Sequence, residues 1–159
     1  MCWGMDLVAA VALGSNLGDR EAHLREALRR MGSLGVVAAV SSFHDTEPVG
    51  YLDQPRFLNA AALVETELAP VELLQGLLGI ELAMGRDRAL VPAKGPRVID
   101  LDLLMVGDVV MDTAELVLPH PAMHERAFVL GPLAEIAGGM RHPVLGMTVG
   151  EMLEAVSSK

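Results

Sequence analysis

The segment that decides the fold is Gly95-Pro96-Arg97-Val98-Ile99-Asp100-Leu101-Asp102-Leu103-Leu104-Met105. From Val98 onward its branched and aliphatic residues predict a β-strand, because such residues pack well on a pleated sheet. The Gly95-Pro96 pair opens this strand and Gly107 closes it, since both glycine and proline interrupt regular structure.

Two aspartates alternate with apolar residues along the predicted strand. Successive side chains point to opposite faces, so Asp100 and Asp102 share one face while the apolar residues share the other. One interpretation is that both carboxylates line the solvated face of an antiparallel sheet. The other is that they share a hard cation such as Mg²⁺, which favours oxygen ligands and leaves positions open for phosphates. Spacing alone leaves both interpretations open.

Basic residues crowd into the approach to this strand, although the chain as a whole is acidic. The formal net charge is -9, from 12 Lys and Arg against 21 Asp and Glu. Yet Arg86, Arg88, Lys94 and Arg97 fall within one short segment. A charge cluster is often only a solvated loop. Cations beside paired carboxylates also match a metal-bound polyphosphate, since guanidinium groups fit phosphate oxygens. Nucleotide phosphates are therefore the leading candidate ligand.

Length and composition indicate one intracellular domain over residues 1–159. Hydrophobic residues make up 52% but aromatics only 3%, so the core must consist of Leu, Val, Ala and Met. The acidic balance argues against nucleic acid or an anionic membrane as partner. The single cysteine, Cys2, excludes an intramolecular disulfide and fits the cytoplasm. The apolar run at 7–13 is too short to span a bilayer. We also expect the protein to be a monomer.

Hydrophobic periodicity predicts the order strand, helix, strand, strand, helix, strand. The predicted elements are a strand at 7–13, a helix capped by Asp19 and ended by Gly32 or Gly35, strands at 36–43 and 57–66, a helix from Pro70 to Gly85, and the aspartate strand. This order is typical of the α+β, ferredoxin-like βαββαβ fold, with an antiparallel sheet and both helices on one face. The other face would then be free to carry the aspartates and loops.

The C-terminal third is predicted to extend this core. Residues 109–111 suit a short edge strand, and Leu118-Pro119-His120-Pro121 suits a rigid extended corner. Residues 126–137 are predicted to be helical despite Pro132, and residues 149–156 form a final short helix.

Several other kinds of site are disfavoured. The chain has neither G-x-x-x-x-G-K-[ST] nor G-x-G-x-x-G, so no phosphate-binding loop of those types is present. His120 and His124 have a helical spacing that could bind zinc, but Pro121 lies between them. His120 is better interpreted as a loop hydrogen-bonding residue near the site, and His142 beside Pro143 as structural.

Two further features leave alternatives open. The segment from Asp45 to Pro55 is longer than a hairpin needs, so it is either a binding loop or an ordinary surface loop. Glu81 falls in the last turn of its predicted helix, where the helix dipole disfavours a carboxylate. This position hints at a ligand role, against the alternative of a solvated surface residue.

Several motifs in order along nearly the whole chain resemble the 6-hydroxymethyl-7,8-dihydropterin pyrophosphokinase family. They are Ala12-Leu13-Gly14-Ser15-Asn16-Leu17-Gly18-Asp19, Thr46-Glu47-Pro48-Val49-Gly50, Asp53-Gln54-Pro55-Arg56-Phe57-Leu58-Asn59, Gly85-Arg86-Asp87-Arg88, Gly95 to Asp102, Leu118-Pro119-His120-Pro121 and Arg126-Ala127-Phe128. The resemblance implies a ferredoxin-like fold and transfer of diphosphate from ATP to the pterin hydroxymethyl group, releasing AMP, in folate biosynthesis.

The same resemblance implies roles for residues on the nucleotide side. Asp100 and Asp102 would hold two Mg²⁺ ions that bridge the triphosphate. The residues expected to bind ATP are Glu81, Arg86, Arg88, Arg97, His120 and Arg126. The residues expected to be catalytic are Arg86, Arg97, Asp100 and Asp102.

On the pterin side, the resemblance implies stacking of the ring between Phe57 and Phe128. Its polar edge would be recognised by Asn59, Thr46 and the backbone around Val49 and Gly50. Flat heterocycles favour aromatic faces and a few placed polar groups, although core packing is the common role of phenylalanine. Lys94 stands where the family often has a tryptophan, so the aromatic lid over the pterin is absent or replaced.

Two other functions compete with this interpretation. A ferredoxin-like fold also suits a non-catalytic, ligand-sensing module, because fold does not determine function. An ordinary kinase would transfer only the γ-phosphoryl group and would release ADP.

Overall fold

The computed structural model describes residues 7–47, 53–85 and 97–158. Seven strands, four α-helices and one 3₁₀ turn lie within this part of the chain. In order they are β1 (Leu7–Ser15), α1 (Arg20–Met31), β2 (Val36–Val40), β3 (His44–Thr46), β4 (Phe57–Thr66), α2 (Pro70–Ala83), β5 (Asp100–Val106), β6 (Met111–Asp112), β7 (Val117–Leu118), the 3₁₀ turn Met123–Glu125, α3 (Ala127–Ala137) and α4 (Val149–Ser157).

The main sheet has the predicted antiparallel topology. Its strands lie in the order β2-β4-β1-β5, and the short β3 also pairs with β4. Each of the pairings β1 with β4, β1 with β5 and β2 with β4 is antiparallel. Together with α1 and α2, these strands form the βαββαβ arrangement, so the predicted α+β, ferredoxin-like fold is confirmed.

The core between the sheet and the first two helices is aliphatic, as the composition predicts. Alternate β1 residues Ala9, Val11 and Leu13 are buried against residues of α1 and α2, such as Leu24 and Leu77. Burial of each large aliphatic side chain contributes about 1.5–3 kcal/mol, so this cluster supplies much of the driving force for folding.

Local signals set the helix ends. Asp19 accepts a hydrogen bond from the Ala22 backbone N–H at 3.1 Å and caps α1 as predicted. Pro70 occupies the first turn of α2, where its missing N–H costs nothing. Thr148 and Glu151 form a capping box at the start of α4.

The second face of the sheet is less open than the sequence predicts. Helices α3 and α4 cover most of it, with a second buried cluster that includes Leu104, Met105, Leu130 and Met152. The expectation of a free face is therefore wrong for most of the sheet, because the apolar residues of α3 and α4 need a surface to bury. The ends of the strands nearest Asp100 carry the candidate site.

Some predicted strand boundaries differ from the structure. The aspartate strand begins at Asp100 rather than Val98, and the strand predicted over 36–43 ends at Val40, with a separate short strand, β3, beginning at His44. At the division Ser41 donates its backbone N–H to Ala61 O, while the Ser41 Oγ accepts from Ala61 N, each at 2.9 Å. The acceptor of the Ala61 N–H is therefore the Ser41 side-chain oxygen and not a backbone carbonyl, which interrupts the regular hydrogen-bond ladder with β4.

The edge strand predicted at 109–111 also lies elsewhere. Residues 111–112 form β6, which pairs with β7 in a separate two-stranded sheet rather than with the main sheet. A turn in which Thr113 and Leu116 exchange hydrogen bonds closes this hairpin. None of the helices in the described ranges is long and apolar enough to cross a membrane.

Candidate active site

The strand registers place two predicted site residues, Asp100 and Asn59, in one row across the sheet. Asp100 on β5 is opposite Gly14 on β1, Gly14 is opposite Asn59 on β4, and Asn59 is opposite His44 on β3. Residues that are opposite in register share a face. With neighbouring strands about 4.8 Å apart, the aspartate strand and Asn59 are separated by about 10 Å. The row therefore joins the predicted metal side to the predicted pterin side.

Gly14 forms the floor of this row and was not among the predicted site residues. A Cβ atom at this position would lie 3.0 Å from Asn59 Oδ1 and 3.6 Å from Phe57 Cδ1. A side chain here would press on the Asn59 amide and contact the Phe57 ring, two predicted pterin-binding residues. Only the strand register shows this, since Gly14 and Asn59 are far apart in sequence.

Arg97 connects the two sides of the site. Its Nη1 donates to Asp100 Oδ2 at 3.2 Å, and its side chain is only 11% exposed. Its guanidinium carbon also lies 5.1 Å from the centroid of the Phe57 ring, within the range of a cation–π contact. One arginine therefore contacts a predicted metal ligand and a predicted pterin-stacking ring.

The aspartates themselves are oriented by the strand. Ile99, Leu101 and Leu103 are buried in the core under α1 and α2, whereas Asp100 and Asp102 are only partly buried on the other face. The predicted alternation is confirmed. In the described ranges no group of three or more His, Cys, Asp or Glu side chains could hold a metal ion.

Glu81 lies beside the aspartate strand but is not a surface residue. Its side chain is 1% exposed, and Oε2 accepts a hydrogen bond from the Leu101 backbone N–H at 2.7 Å. Because β5 ends the described sheet, this N–H has no strand partner on that side, and the carboxylate satisfies it. The solvated-surface alternative is wrong, and Glu81 fixes the backbone between Asp100 and Asp102. Its contact with ATP remains a prediction.

His120 lies near both Arg126 and Asp100, whose charges act on its pKa. The His120 backbone N–H donates to Leu104 O at 2.8 Å, which fixes the segment to β5, and its Nδ1 accepts from Ala122 N at 3.2 Å. Burial lowers the pKa of His120; the positive charge of Arg126 acts in the same direction and Asp100 opposes it. His120 is thus neutral near pH 7, with its proton on Nε2.

The predicted pterin-binding residues share one strand pair. Thr46 is opposite Phe57 in the β3–β4 ladder, and Asn59 Nδ2 donates to Thr46 Oγ1. Phe57 and Phe128 are both only half-buried, so neither belongs to the fully buried core. The Arg126 guanidinium carbon lies 5.7 Å from the Phe128 ring centroid. Both rings therefore keep exposed surface near an arginine.

Asn16 is a second residue that sequence reasoning missed as a site residue. It is 1% exposed, and its Nδ2 donates to Gln54 Oε1 at 2.7 Å and to Pro55 O at 3.1 Å. Its Oδ1 accepts from the Arg97 backbone N–H at 2.8 Å. The only signal in the sequence was its place in the quoted Gly14-Ser15-Asn16 motif.

Several predicted residues lie outside the described residues. They are Val49 and Gly50 of the pterin group, Arg86 and Arg88 of the ATP group, and Lys94 at the lid position. Their assignments remain predictions.

Comparisons with known proteins identify the family. The model for 7,8-dihydro-6-hydroxymethylpterin-pyrophosphokinase (HPPK) matches residues 10–138. A 2-amino-4-hydroxy-6-hydroxymethyldihydropteridine pyrophosphokinase from Bacillus subtilis is 48% identical over 134 residues, covering 83% of this chain and 79% of that protein. One of the same description from Pseudomonas aeruginosa is 44% identical over 147 residues, covering 91% and 89%.

Longer proteins also match. The chain is 39% identical over 147 residues to the folic acid synthesis protein fol1 of Pneumocystis carinii, and it spans 20% of that protein. A crystal structure of wild-type Plasmodium falciparum HPPK-DHPS superposes with a TM-score of 0.76 at 15% identity, over 96% of this chain and 45% of that one. This likeness shows the fold alone, and the chain spans less than half of these longer proteins.

The molecule is an α+β protein whose structural neighbours contain HPPK domains. The chain belongs to the 7,8-dihydro-6-hydroxymethylpterin-pyrophosphokinase family, as its motifs predict, and is a pyrophosphokinase of folate biosynthesis.

Proposed function

We propose that this chain transfers diphosphate from ATP to the hydroxymethyl group of 6-hydroxymethyl-7,8-dihydropterin and releases AMP. The observation that carries the proposal is the double contact of Arg97 with the Asp100 carboxylate and the Phe57 ring. A cation held between a carboxylate and an aromatic face suits a junction where a polyphosphate meets a flat heterocycle.

The nucleotide side consists of the aspartate strand and its basic neighbours. Arg97, His120 and Arg126 would contact the phosphates, with Arg86 and Arg88 adding positive charge and Glu81 holding the strand edge. The neutral state of His120 suits a donor from Nε2 to a phosphate oxygen rather than a proton acceptor.

The paired aspartates fit magnesium. Asp100 and Asp102 lie on one face of β5, and their carboxylate oxygens are the ligands that Mg²⁺ prefers. Two carboxylates leave most coordination positions to phosphate oxygens and water, which is typical of nucleotide-bound Mg²⁺. We propose that these residues hold two Mg²⁺ ions; bound there, the ions would neutralise charge that develops on the transferring phosphates. Activity would therefore depend on magnesium.

The pterin side uses the β3–β4 pair and α3. Phe57 and Phe128 would stack on the two faces of the ring, while Thr46 and Asn59 would hydrogen-bond its polar edge, with the backbone of Val49 and Gly50. The hydrogen bond between Asn59 and Thr46 pre-orients both polar groups.

The proposed reaction is a substitution at the β-phosphorus of ATP. The hydroxymethyl oxygen forms a bond to this phosphorus, the bond from it to the oxygen bridging to the α-phosphorus breaks, and AMP leaves while one proton is released. Such transfers depend on in-line positioning and charge neutralisation more than on covalent catalysis. Arg97 would place positive charge beside the phosphates. Asn16 holds the backbone at Arg97, and Glu81 holds the backbone at Leu101, between the two aspartates.

We also propose that residues 1–159 form a single domain that acts as a monomer in the cytoplasm. The continuous sheet and its two packed cores support the single domain. The single cysteine supports a reducing compartment.

Replacing Asp102 tests the metal-dependent function. Asp102→Ala should lower turnover by about 10²–10³-fold or more while the fold is retained, because charge stabilisation at the phosphates is lost. Asp112→Ala, a change of the exposed aspartate of the β6–β7 hairpin, is the matched control and should keep wild-type turnover. Turnover would be measured as AMP release over a range of Mg²⁺ concentrations, with circular dichroism as the folding check. Wild-type turnover in Asp102→Ala would rule out the metal assignment.

A further inference from the structure

A three-residue cluster, Ser42, His44 and Glu135, joins strand β3 to helix α3. The Glu135 carboxylate accepts the Ser42 backbone N–H at 2.8 Å and the His44 Nε2–H at 2.5 Å. The Ser42 hydroxyl lies 2.8 and 2.9 Å from the two carboxylate oxygens. We call these three residues the clasp. Three donors on one carboxylate connect two elements that are far apart in sequence.

The clasp lies on the helix face that also bears Phe128. Phe128, Gly131 and Glu135 are spaced by three and four residues, so they line one face of α3. A Cβ atom built at Gly131 would lie 3.9 Å from His44 Cε1 and Nδ1, which shows that the imidazole ring lies over this face. The distance along the helix from Glu135 to Phe128 is about 10 Å at 1.5 Å per residue. Strand β3 therefore packs along the helix face that ends at the predicted stacking ring.

On the strand, His44 shares its face with Thr46. The two are separated by one residue, and side chains at i and i+2 point the same way. Thr46 accepts from Asn59, which is opposite His44 in the ladder. Movement of His44 relative to α3 would thus move Thr46 and Asn59 relative to Phe128.

The clasp carboxylate is held in its charged form. The Ser42 backbone N–H lowers the pKa of Glu135 most, followed by the Ser42 hydroxyl and then His44. The neighbouring Asp45 points to the opposite face of β3, where Arg20 and Arg56 bind its carboxylate. The clasp and this second ion-pair network therefore anchor the two faces of β3 independently.

We infer that the clasp sets the spacing between β3 and the first turn of α3, and with it the width of the slot that receives the pterin ring. Ser42, His44 and Glu135 are positioning residues in this account, since they would act through Thr46, Asn59 and Phe128. This inference rests on the proposed pterin site, and it names the side chains that set the width of that site.

The test compares the Michaelis constants of the two substrates in clasp variants. Glu135→Ala should raise the KM for the pterin about tenfold, because the charge-assisted hydrogen bonds that hold β3 to α3 are lost, while the KM for ATP should change by less than about twofold. His44→Ala should act in the same direction. His44→Gln should restore most of the affinity, because its side-chain amide N–H can still donate to Glu135. The side chains of His44 and Glu135 are both partly exposed, so these variants should fold.

A matched control comes from an ion pair on the surface of α1. Glu21→Ala removes the exposed pair with Arg25, which lies 3.2 Å away, and should leave both Michaelis constants unchanged. Fluorescence titration of the pterin, with a non-hydrolysable ATP analogue present, gives its dissociation constant without turnover. This constant should follow the KM for the pterin.

The outcomes separate the clasp from the proposed function. Unchanged pterin affinity in Glu135→Ala, equal increases in both Michaelis constants, or failure of His44→Gln to restore affinity would overturn the clasp while wild-type turnover stands. A wild-type protein that neither binds the pterin nor releases AMP would overturn the proposed function and the clasp with it.

Discussion

Asn16 and Arg97 are joined by two hydrogen bonds although 80 residues separate them in the chain. The Arg97 backbone N–H donates to Asn16 Oδ1 at 2.8 Å, and the Asn16 backbone N–H donates to Arg97 O at 3.1 Å. The buried side-chain amide of Asn16 also donates to Gln54 Oε1 and Pro55 O, and these two residues lead into Phe57. The loop after β1 thus fixes both the backbone of Arg97 and the segment that leads into Phe57.

Asn16→Ala should therefore reduce catalysis more than its distance from the phosphates suggests. Loss of the amide removes the side-chain acceptor of the Arg97 backbone N–H and the donor to the Pro55 carbonyl, at a cost of about 0.5–1.5 kcal/mol of stability for each hydrogen bond. Misplacement of Arg97 by about 1 Å would lower kcat/KM by about 100-fold. Steady-state kinetics and thermal unfolding measure the two effects.

The conservative variant Asn16→Asp separates the acceptor role of the Asn16 side chain from its donor role. Asn16→Asp keeps the acceptor for Arg97 N–H, and Gln54 can turn its amide to donate to the new carboxylate. Its kcat/KM should lie between those of wild type and Asn16→Ala. A folded Asn16→Ala protein with wild-type kcat/KM would show that the hydrogen bonds are not needed to position Arg97.

Gly14→Ala should weaken pterin binding without unfolding the protein. The added Cβ would lie 3.0 Å from Asn59 Oδ1, so the Asn59 amide must shift by a few tenths of an ångström, and it would contact Phe57 Cδ1 at 3.6 Å. Overpacking of this kind costs about 1–3 kcal/mol, and a cost of about 1.4 kcal/mol corresponds to a tenfold higher KM for the pterin. Gly139→Ala is the matched control, because a Cβ there meets no atom within 4 Å. Equal Michaelis constants in the two variants would contradict the assignment of Gly14 to the site floor.

The stability of the C-terminal region should depend on the protonation of His142. This residue is 5% exposed, and its Nδ1 accepts from the backbone N–H groups of Val144 and Leu145 at 3.2 and 3.0 Å. Burial lowers the pKa of His142, and the neighbouring His124 lowers it further. Between this lowered pKa and the ordinary value of about 6.5, the unfolded chain binds more protons than the folded one. Stability should therefore fall as the pH falls below about 6.5, by at most about 1.4 kcal/mol per pH unit for this one group.

His142→Asn provides the comparison. Its Oδ1 can accept the same backbone hydrogen bonds but does not titrate. Thermal unfolding between pH 7.5 and pH 5 should show a smaller loss of stability in the variant than in the wild type. Parallel pH profiles for the two proteins would mean that His142 does not contribute to acid sensitivity.

The fold and part of the site could be predicted because they follow from local patterns. The alternation of Asp100 and Asp102 with buried leucines fixed their face, and the element order defined the sheet topology. The division between β2 and β3 could not be predicted, since it depends on a hydrogen bond that the Ser41 Oγ accepts from the Ala61 backbone N–H of the neighbouring strand β4.

The missed site residues have a common physical cause. Gly14 is important because of what lies opposite it, and Asn16 because of three partners from distant segments. Glu81 was predicted as a site residue, but its hydrogen bond to the edge of β5 could not be predicted. Long-range packing determines each of these roles, and periodicity in the sequence carries no information about it.

The most direct test of the central claim is to identify the nucleotide product. Purified protein would be incubated with ATP, Mg²⁺ and 6-hydroxymethyl-7,8-dihydropterin, and AMP would be resolved from ADP by chromatography. The account predicts AMP and pterin diphosphate in equal amounts. ADP as the product would contradict two-phosphoryl transfer, and the absence of any nucleotide product from folded protein would contradict catalysis itself.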